Sequence, residues 1–126
     1  MIYTSYHTKA VKLLEREIQP ISISVIFPKY SSISYSQILD LAPTYSMLKL
    51  SENEYYKIFN ARLDKLDPVQ LFKLISSQKL KKGVALLCYE KDINQCHRKR
   101  VAEWLGEANN ITIPEYDFQP LTMSLF

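Results

Sequence analysis

The 126-residue sequence has no long apolar run, no strong excess of charge and only two cysteines. No apolar run approaches the roughly 20 residues of a membrane-spanning helix. The first residues show no basic region before an apolar stretch, so we expect neither a membrane protein nor a signal peptide. With 16 basic and 13 acidic residues, the formal charge of +3 is too slight to indicate an extended nucleic-acid or membrane surface. A cytoplasmic protein with reduced cysteines is therefore expected.

The composition indicates one ordinary globular domain. With 126 residues, 47% of them hydrophobic, the chain is long enough to bury one sizeable hydrophobic core and too short to form two. It has no internal repeat and no low-complexity segment. We predict a single domain over residues 1–116, followed by a C-terminal tail, residues 117–126, in which no pattern can be assigned.

Strand-like and helix-like patterns alternate along the chain. Strands are predicted over 2–5, 21–27, 83–89 and 111–113, and helices over 9–15, 51–66, 68–75 and from 96 onward. Pro20 is expected to end a connection, and Gly106 to weaken or end the last helix. This alternation predicts an α/β fold with a small, mostly parallel, three- to four-stranded sheet flanked by helices.

The residues best able to do chemistry lie within eleven positions of each other, where the apolar strand 83–89 ends and the last helix begins. They are Cys88, Glu90, Cys96, His97 and Arg98. The junction between a buried strand and a helix N-terminus is where open α/β sheets hold ligands. Each buried polar group must also find a partner, so a cluster of this kind is an unlikely way merely to build a core. We therefore expect the functional site here.

The leading hypothesis is a small enzyme or ligand-binding domain that acts on an anionic substrate. Cys96 would be the nucleophile, because free N–H groups at a helix start favour a thiolate. His97 and Glu90 would transfer protons, and Arg98 would clamp the anion. The basic residues 97–100 favour a phosphate-bearing ligand, a nucleotide or nucleic acid. Neither a cofactor nor a protein partner can be read from the residues.

Two more specific chemistries fit less well. A cysteine-dependent phosphatase needs an arginine at a fixed spacing after its cysteine, and Arg98 lies two positions after Cys96 and ten after Cys88. Zinc could be held by Cys88, Cys96 and His97 together with His7, which lies at the end of the first strand. The usual spacing of about two to four residues between neighbouring ligands is absent, however. We assign no residue to a metal and place Cys88 and His7 at the substrate, with Tyr30 from the long serine- and tyrosine-rich loop.

A structural explanation remains open beside these hypotheses. Cys88 in an apolar strand can be a small core residue, and Arg98 can bridge a carboxylate to fix the loop. The protein would then be a non-catalytic interaction module, in which the cluster is a structural lock or binds zinc. Whether the protein is an enzyme is therefore left undecided.

The segment from Leu86 to Leu105 resembles a known family. A strand that ends Leu-Leu-Cys-Tyr-Glu-Lys, a short loop, the motif Cys-His-Arg and a helix with Val-Ala-Glu-Trp-Leu are similar to the domain of unknown function 488 family. Looser likeness covers residues 1 to about 116 and is that of small bacterial or phage-type members. An Asp-Val-Arg usual in the family is absent near residues 22–25, and Tyr6 stands where glycine is usual. The resemblance implies the fold and the site, and no established activity.

Overall fold

Three short parallel strands form the centre of the fold in a computed structural model, which describes residues 1–29, 32–92 and 96–118. They are β1 (Ile2–Tyr6), β2 (Ile18–Ser22) and β3 (Gly83–Cys88), and β3 lies between the other two. The predicted fold class, a small parallel α/β sheet flanked by helices, is confirmed. Among the described residues, no helix is long and apolar enough to cross a membrane.

Four α-helices surround the sheet. They are α1 (Ala10–Glu15), α2 (Glu52–Asp64), α3 (Pro68–Ser77) and α4 (Arg98–Asn109). Short 3-10 turns cover His7–Lys9, Leu39–Leu41 and Tyr45–Lys49. The start signals of α2 and α3 act as predicted: Ser51 Oγ accepts from the Glu54 backbone N–H, and the Asp67 carboxylate accepts from two N–H groups of the first turn of α3.

Strand β3 is buried on both faces, as its continuous apolar run predicted. Val84, Leu86 and Cys88 belong to the larger core cluster, which includes buried residues of α2, α3 and α4. Ala85 and Leu87 belong to a smaller cluster that includes residues of α1. Helices therefore pack on both sides of the central strand.

The second strand lies earlier than predicted. It was expected over 21–27, whereas β2 is Ile18–Ser22 and contains Pro20. β2 is an edge strand, in which Ile23 N donates to Leu87 O of β3 but Ser22 N donates outward to Ser36 O. By this alternation the nitrogen of Pro20 faces away from β3, where no ladder hydrogen bond is lost. Pro20, which was expected to end the connection before the strand, is therefore accommodated within it.

The last helix and the segment after it also differ from the prediction. Helix α4 continues through Gly106 and ends at Asn109, followed by Asn110 with a left-handed backbone (φ 56°). Gly106 instead permits a close approach, because an added Cβ would lie 2.6 Å from the Ile111 carbonyl oxygen. No strand forms at 111–113. The chain reaches the sheet slightly later, where Thr4 N donates to Pro114 O and Tyr116 N donates to Thr4 O.

Candidate functional site

The carboxyl ends of the three parallel strands meet at one edge of the sheet. His7 follows β1, residues 23 and 24 follow β2, and Cys88 ends β3. Helix α4 begins at Arg98 and returns the motif Cys96-His97-Arg98 to this edge. The topology thus brings together side chains that are far apart in sequence, at the edge where parallel sheets commonly bind ligands.

Cys88 and Cys96 are joined by a disulfide, with Cα atoms 7.0 Å apart. The expectation of reduced thiols is therefore wrong for this structure. The bond forms because Cys96 lies just before α4, where the chain returns to the strand end that carries Cys88. Both sulfurs are buried, at 1% exposure for Cys88 and 5% for Cys96. In this state neither cysteine is a nucleophile, since nucleophilic chemistry requires a thiolate.

His97 has a defined tautomer. Its Nε2 lies 2.5 Å from the Ile23 carbonyl oxygen, which only accepts, so Nε2 carries the proton and donates. The unprotonated Nδ1 then lies 3.8 Å from Cys96 Sγ. Burial is the main cause that lowers the pKa of His97 to about 4; the hydrogen bond to Ile23 acts in the opposite direction, and the charge of Arg98 acts in the same direction as burial. His97 is therefore neutral at pH 7, with its lone pair beside Cys96.

Arg98 is fully buried and fully hydrogen-bonded. Its Nε and one Nη donate to the two carboxylate oxygens of Glu115, at 3.0 and 2.7 Å. The other donors reach Cys88 Sγ at 3.2 Å, the Lys91 carbonyl oxygen at 3.1 Å and the Glu90 carbonyl oxygen. All five guanidinium N–H donors are thus used within the protein. This geometry favours the structural role of Arg98 over the anion clamp.

Glu115 is the partner that sequence analysis missed. Besides its ion pair with Arg98, its carboxylate accepts from Thr4 Oγ1 at 2.6 Å. Residues 114–116 are held beside β1 by the backbone bonds of Thr4, which places the carboxylate over the strand end. No local signal marked this residue, because it lies in a segment without a pattern. Its pairing depends on contacts between residues 17 and 111 positions apart.

His7 is buried where β1 ends. Its Nδ1 lies 2.7 Å from Tyr35 Oη and its Nε2 lies 2.9 Å from Ser24 Oγ. Burial, with smaller contributions from His97 and Arg98, lowers the pKa of His7 to about 4. The rings of Tyr35 and Tyr89 lie beside its imidazole. Sequence analysis placed His7 at the site but did not identify Ser24.

An open cleft of about 650 Å³ lies over this cluster. Its lining is largely apolar and aromatic and includes Cys88, Cys96 and His97. The lining consists of Ser24, Val25, Ile26, Pro43, Leu48, Leu50, Glu52, Tyr55, Tyr56, Cys88, Tyr89, Glu90, Cys96 and His97. Glu90 is exposed and contributes to the lining. Tyr30 lies outside the described residues.

Three of the four proposed zinc ligands come together. The ligand atoms of Cys88, Cys96 and His97 all lie within 4.8 Å of one another. His7 is not part of this group, since both of its ring nitrogens are engaged by Tyr35 and Ser24. Zinc binds cysteine as thiolate, so a metal and the disulfide exclude each other at this position.

Comparison with known proteins identifies the family. A sequence model described as "Domain of unknown function DUF488" matches residues 26–105, more than half of the chain. The chain belongs to this family. The matched part of the DUF488 domain includes the whole segment 88–98 and excludes His7 and Glu115. No curated protein and no solved structure gives a significant match. The resemblance seen in the sequence is confirmed, and the family's description names no activity.

Proposed function

We propose that the protein binds a small ligand in the cleft, and that Cys96, once reduced, attacks this ligand with His97 as the base. The observation that supports the proposal is the 3.8 Å contact between Cys96 Sγ and the unprotonated Nδ1 of His97. A neutral imidazole beside a thiol is the arrangement that activates cysteine nucleophiles. The pKa of His97 is lowered to about 4 beside the disulfide, and a thiolate on Cys96 would raise it by stabilising the imidazolium. The hydrogen bond to Ile23 holds this imidazole in the required tautomer.

The cleft lining indicates the kind of ligand. Tyr55 and Tyr56 present aromatic rings, and Leu48 and Leu50 add apolar surface. Among the described lining residues the charged groups are the carboxylates of Glu52 and Glu90, with no lysine or arginine. The lining thus supports a ligand with an apolar or aromatic body. A nucleotide or nucleic acid, predicted from the basic residues 97–100, would have to place its phosphate elsewhere.

Thiol alkylation tests the nucleophile. The protein is reduced, and iodoacetamide labelling of each cysteine is followed by peptide mass spectrometry between pH 6 and 9. We expect Cys96 to react faster than Cys88, at pH values below the ordinary thiol pKa of about 8.5. His97→Gln should slow the labelling of Cys96. His7→Gln is the matched control, because it removes a buried histidine that does not contact Cys96. Equal, slow labelling of both thiols in folded protein would rule out the nucleophile.

Ligand protection tests the cleft. A panel of paired nucleosides and nucleotides is added before alkylation, and the rate at Cys96 is measured. If the lining decides binding, the nucleoside protects Cys96 at least as well as the corresponding nucleotide. Stronger protection by the nucleotide would instead support the phosphate-bearing ligand. Tyr56→Ala should weaken protection by removing part of the aromatic wall.

A second function is supported by the hydrogen bonds of Arg98, in which all five guanidinium donors are used within the protein. Its five donors join β3, the following loop and Glu115, which is how a structural lock would be built in a non-catalytic interaction module. Under this alternative, variants of Arg98 lower the stability of the fold, and partner binding falls only in proportion to the loss of folded protein. Cys96→Ser would then leave the function of the folded protein unchanged.

A further inference from the structure

We infer that Cys88 and Cys96 form a reversible dithiol–disulfide pair that exchanges with a small neutral or cationic disulfide bound in the cleft. The inference rests on the proposed function, because it needs a reactive Cys96. It goes further in two respects: it names the electrophile, and it gives Cys88 a chemical role.

The two sulfurs are already placed for the last step of such an exchange. The structure contains the oxidised pair: Cys88 at the end of β3 is bonded to Cys96, and both residues line the cleft. The disulfide between Cys88 and Cys96 can therefore form in the folded protein. Eight positions separate the two cysteines in the chain, so the ring encloses one short loop and leaves the rest of the fold outside it.

The surroundings of the two sulfurs differ, which assigns them different roles. Cys96 is the more exposed of the two and faces Nδ1 of His97. Cys88 is almost completely buried and accepts a hydrogen bond from the Arg98 guanidinium at 3.2 Å. A positive donor stabilises a thiolate on Cys88. Cys96 is therefore the thiol that meets the incoming disulfide, and Cys88 is the one that resolves the intermediate.

The reaction balances without any further reagent. His97 takes the proton of Cys96, and the thiolate attacks one sulfur of the small disulfide; that S–S bond breaks, a mixed disulfide forms on Cys96, and the first small thiolate leaves. Cys88 gives its proton to the first small thiolate, and the Cys88 thiolate then attacks Cys96 Sγ and releases the second small thiolate, which takes the proton held by His97. The two protein thiols are oxidised to a disulfide, the small disulfide is reduced to two thiols, and the two protons pass from the protein to these products.

The charge of the lining predicts which disulfides react. Glu52 and Glu90 are the charged residues of the described lining, and both are acidic. Carboxylates around a cleft raise the local concentration of cations and lower that of anions. A cationic disulfide should therefore react faster than an anionic one of similar size, with a neutral one between them.

Three small disulfides test this order: cystamine is cationic, bis(2-hydroxyethyl) disulfide is neutral and dithiodiglycolate is anionic. The full-length reduced protein is mixed with each disulfide, the reaction is stopped with acid at successive times, and the protein products are identified by mass spectrometry. We expect the Cys88–Cys96 disulfide to form fastest with cystamine. Glu52→Gln and Glu90→Gln should each lower the rate ratio of cystamine to dithiodiglycolate by about threefold. The exposed Glu15, outside the cleft, gives the control Glu15→Gln, which should leave the ratio unchanged.

Single-cysteine variants separate the two roles. Cys88→Ser should accumulate a stable mixed disulfide on Cys96, because nothing resolves it. Cys96→Ser should react at least tenfold more slowly, because only the buried Cys88 remains. Circular dichroism of both variants checks that they fold. A mixed disulfide that forms equally fast on Cys88 would overturn the assignment of roles.

The outcomes also separate this inference from the proposed function. Fast alkylation of Cys96 with no exchange would refute the dithiol pair and leave the nucleophile standing. Slow alkylation together with no exchange would refute both. One equivalent of tightly bound zinc in the reduced protein, with both thiols protected, would overturn both and make the cluster a metal site.

Discussion

Removal of the Glu115 carboxylate is the sharpest test of how the buried cluster is held together. In Glu115→Ala, Arg98 stays buried and charged but loses the acceptors of its Nε and of one Nη, and Thr4 loses the acceptor of its hydroxyl. Breaking a fully buried ion pair by removing one partner costs about 3–5 kcal/mol. The Glu115 side chain is 29% exposed, so water can replace part of the lost contact. We therefore expect a loss of about 2–3 kcal/mol in the free energy of unfolding, less than for a fully buried pair.

Urea unfolding followed by circular dichroism measures this loss. With a slope of about 1–3 kcal/mol per molar urea for a small domain, the midpoint should fall by about 0.7–3 M. Glu115→Gln, which keeps one acceptor oxygen and loses the charge, should lose less. Glu107→Gln, at an exposed position of α4, should stay within about 0.5 kcal/mol of the parent protein. A Glu115→Ala variant as stable as this control would refute the idea that the Arg98–Glu115 pair holds the site together.

Three further predictions concern pH, packing and helix capping. Because the folded state lowers the pKa of both His7 and His97 to about 4, the unfolded chain binds more protons between about pH 6.5 and 4. The free energy of unfolding should therefore be highest above pH 6.5 and fall as the pH drops toward 4, and His7→Asn should flatten the urea-measured curve between pH 6.5 and 5. Gly106→Ala should destabilise the fold by about 1–3 kcal/mol in the same assay, because the clash of the new Cβ outweighs the better helix propensity of alanine; an increase in stability would contradict the close approach. Asp67→Ala should cost about 1 kcal/mol and more than Ser51→Ala, because Asp67 accepts two bonds at 3.0 and 3.2 Å while Ser51 accepts one at 3.4 Å; equal thermal unfolding of the two variants would refute this order.

The sequence predicts those parts of the fold that depend on local signals. The continuous apolar run before Cys88 indicated the buried central strand, and Asp67-Pro68 marked the start of α3. The second strand was misplaced, because whether Pro20 interrupts a strand depends on which edge it faces, and that is set by pairing with β3. The consequence of Gly106 was likewise decided by a tertiary contact, with the Ile111 carbonyl.

The candidate site shows the same division. The segment 88–98 was identified because its reactive residues are neighbours in the chain and lie at a strand-to-helix junction. Glu115 and Ser24 were missed, since their contacts with the cluster come from other parts of the sequence. The disulfide could not be anticipated either: a separation of eight residues allows many geometries, and only the return of α4 to the end of β3 brings the two sulfurs together.

The cluster consists of two layers, and this arrangement relates the structural explanation to the chemical one. In the inner layer, the Arg98 guanidinium donates to the Glu115 carboxylate and to backbone carbonyls, so it has no donor left for a ligand. In the outer layer, Cys96 and His97 line the cleft. Cys88 belongs to both layers, because it accepts from Arg98 and bonds to Cys96. A structural lock and a reactive thiol are therefore compatible: the inner layer fixes the position and charge of Cys88, and Cys96 meets the ligand. Variants of Glu115 should then change the stability first and the reactivity of Cys88 second, with little effect on the first attack by Cys96.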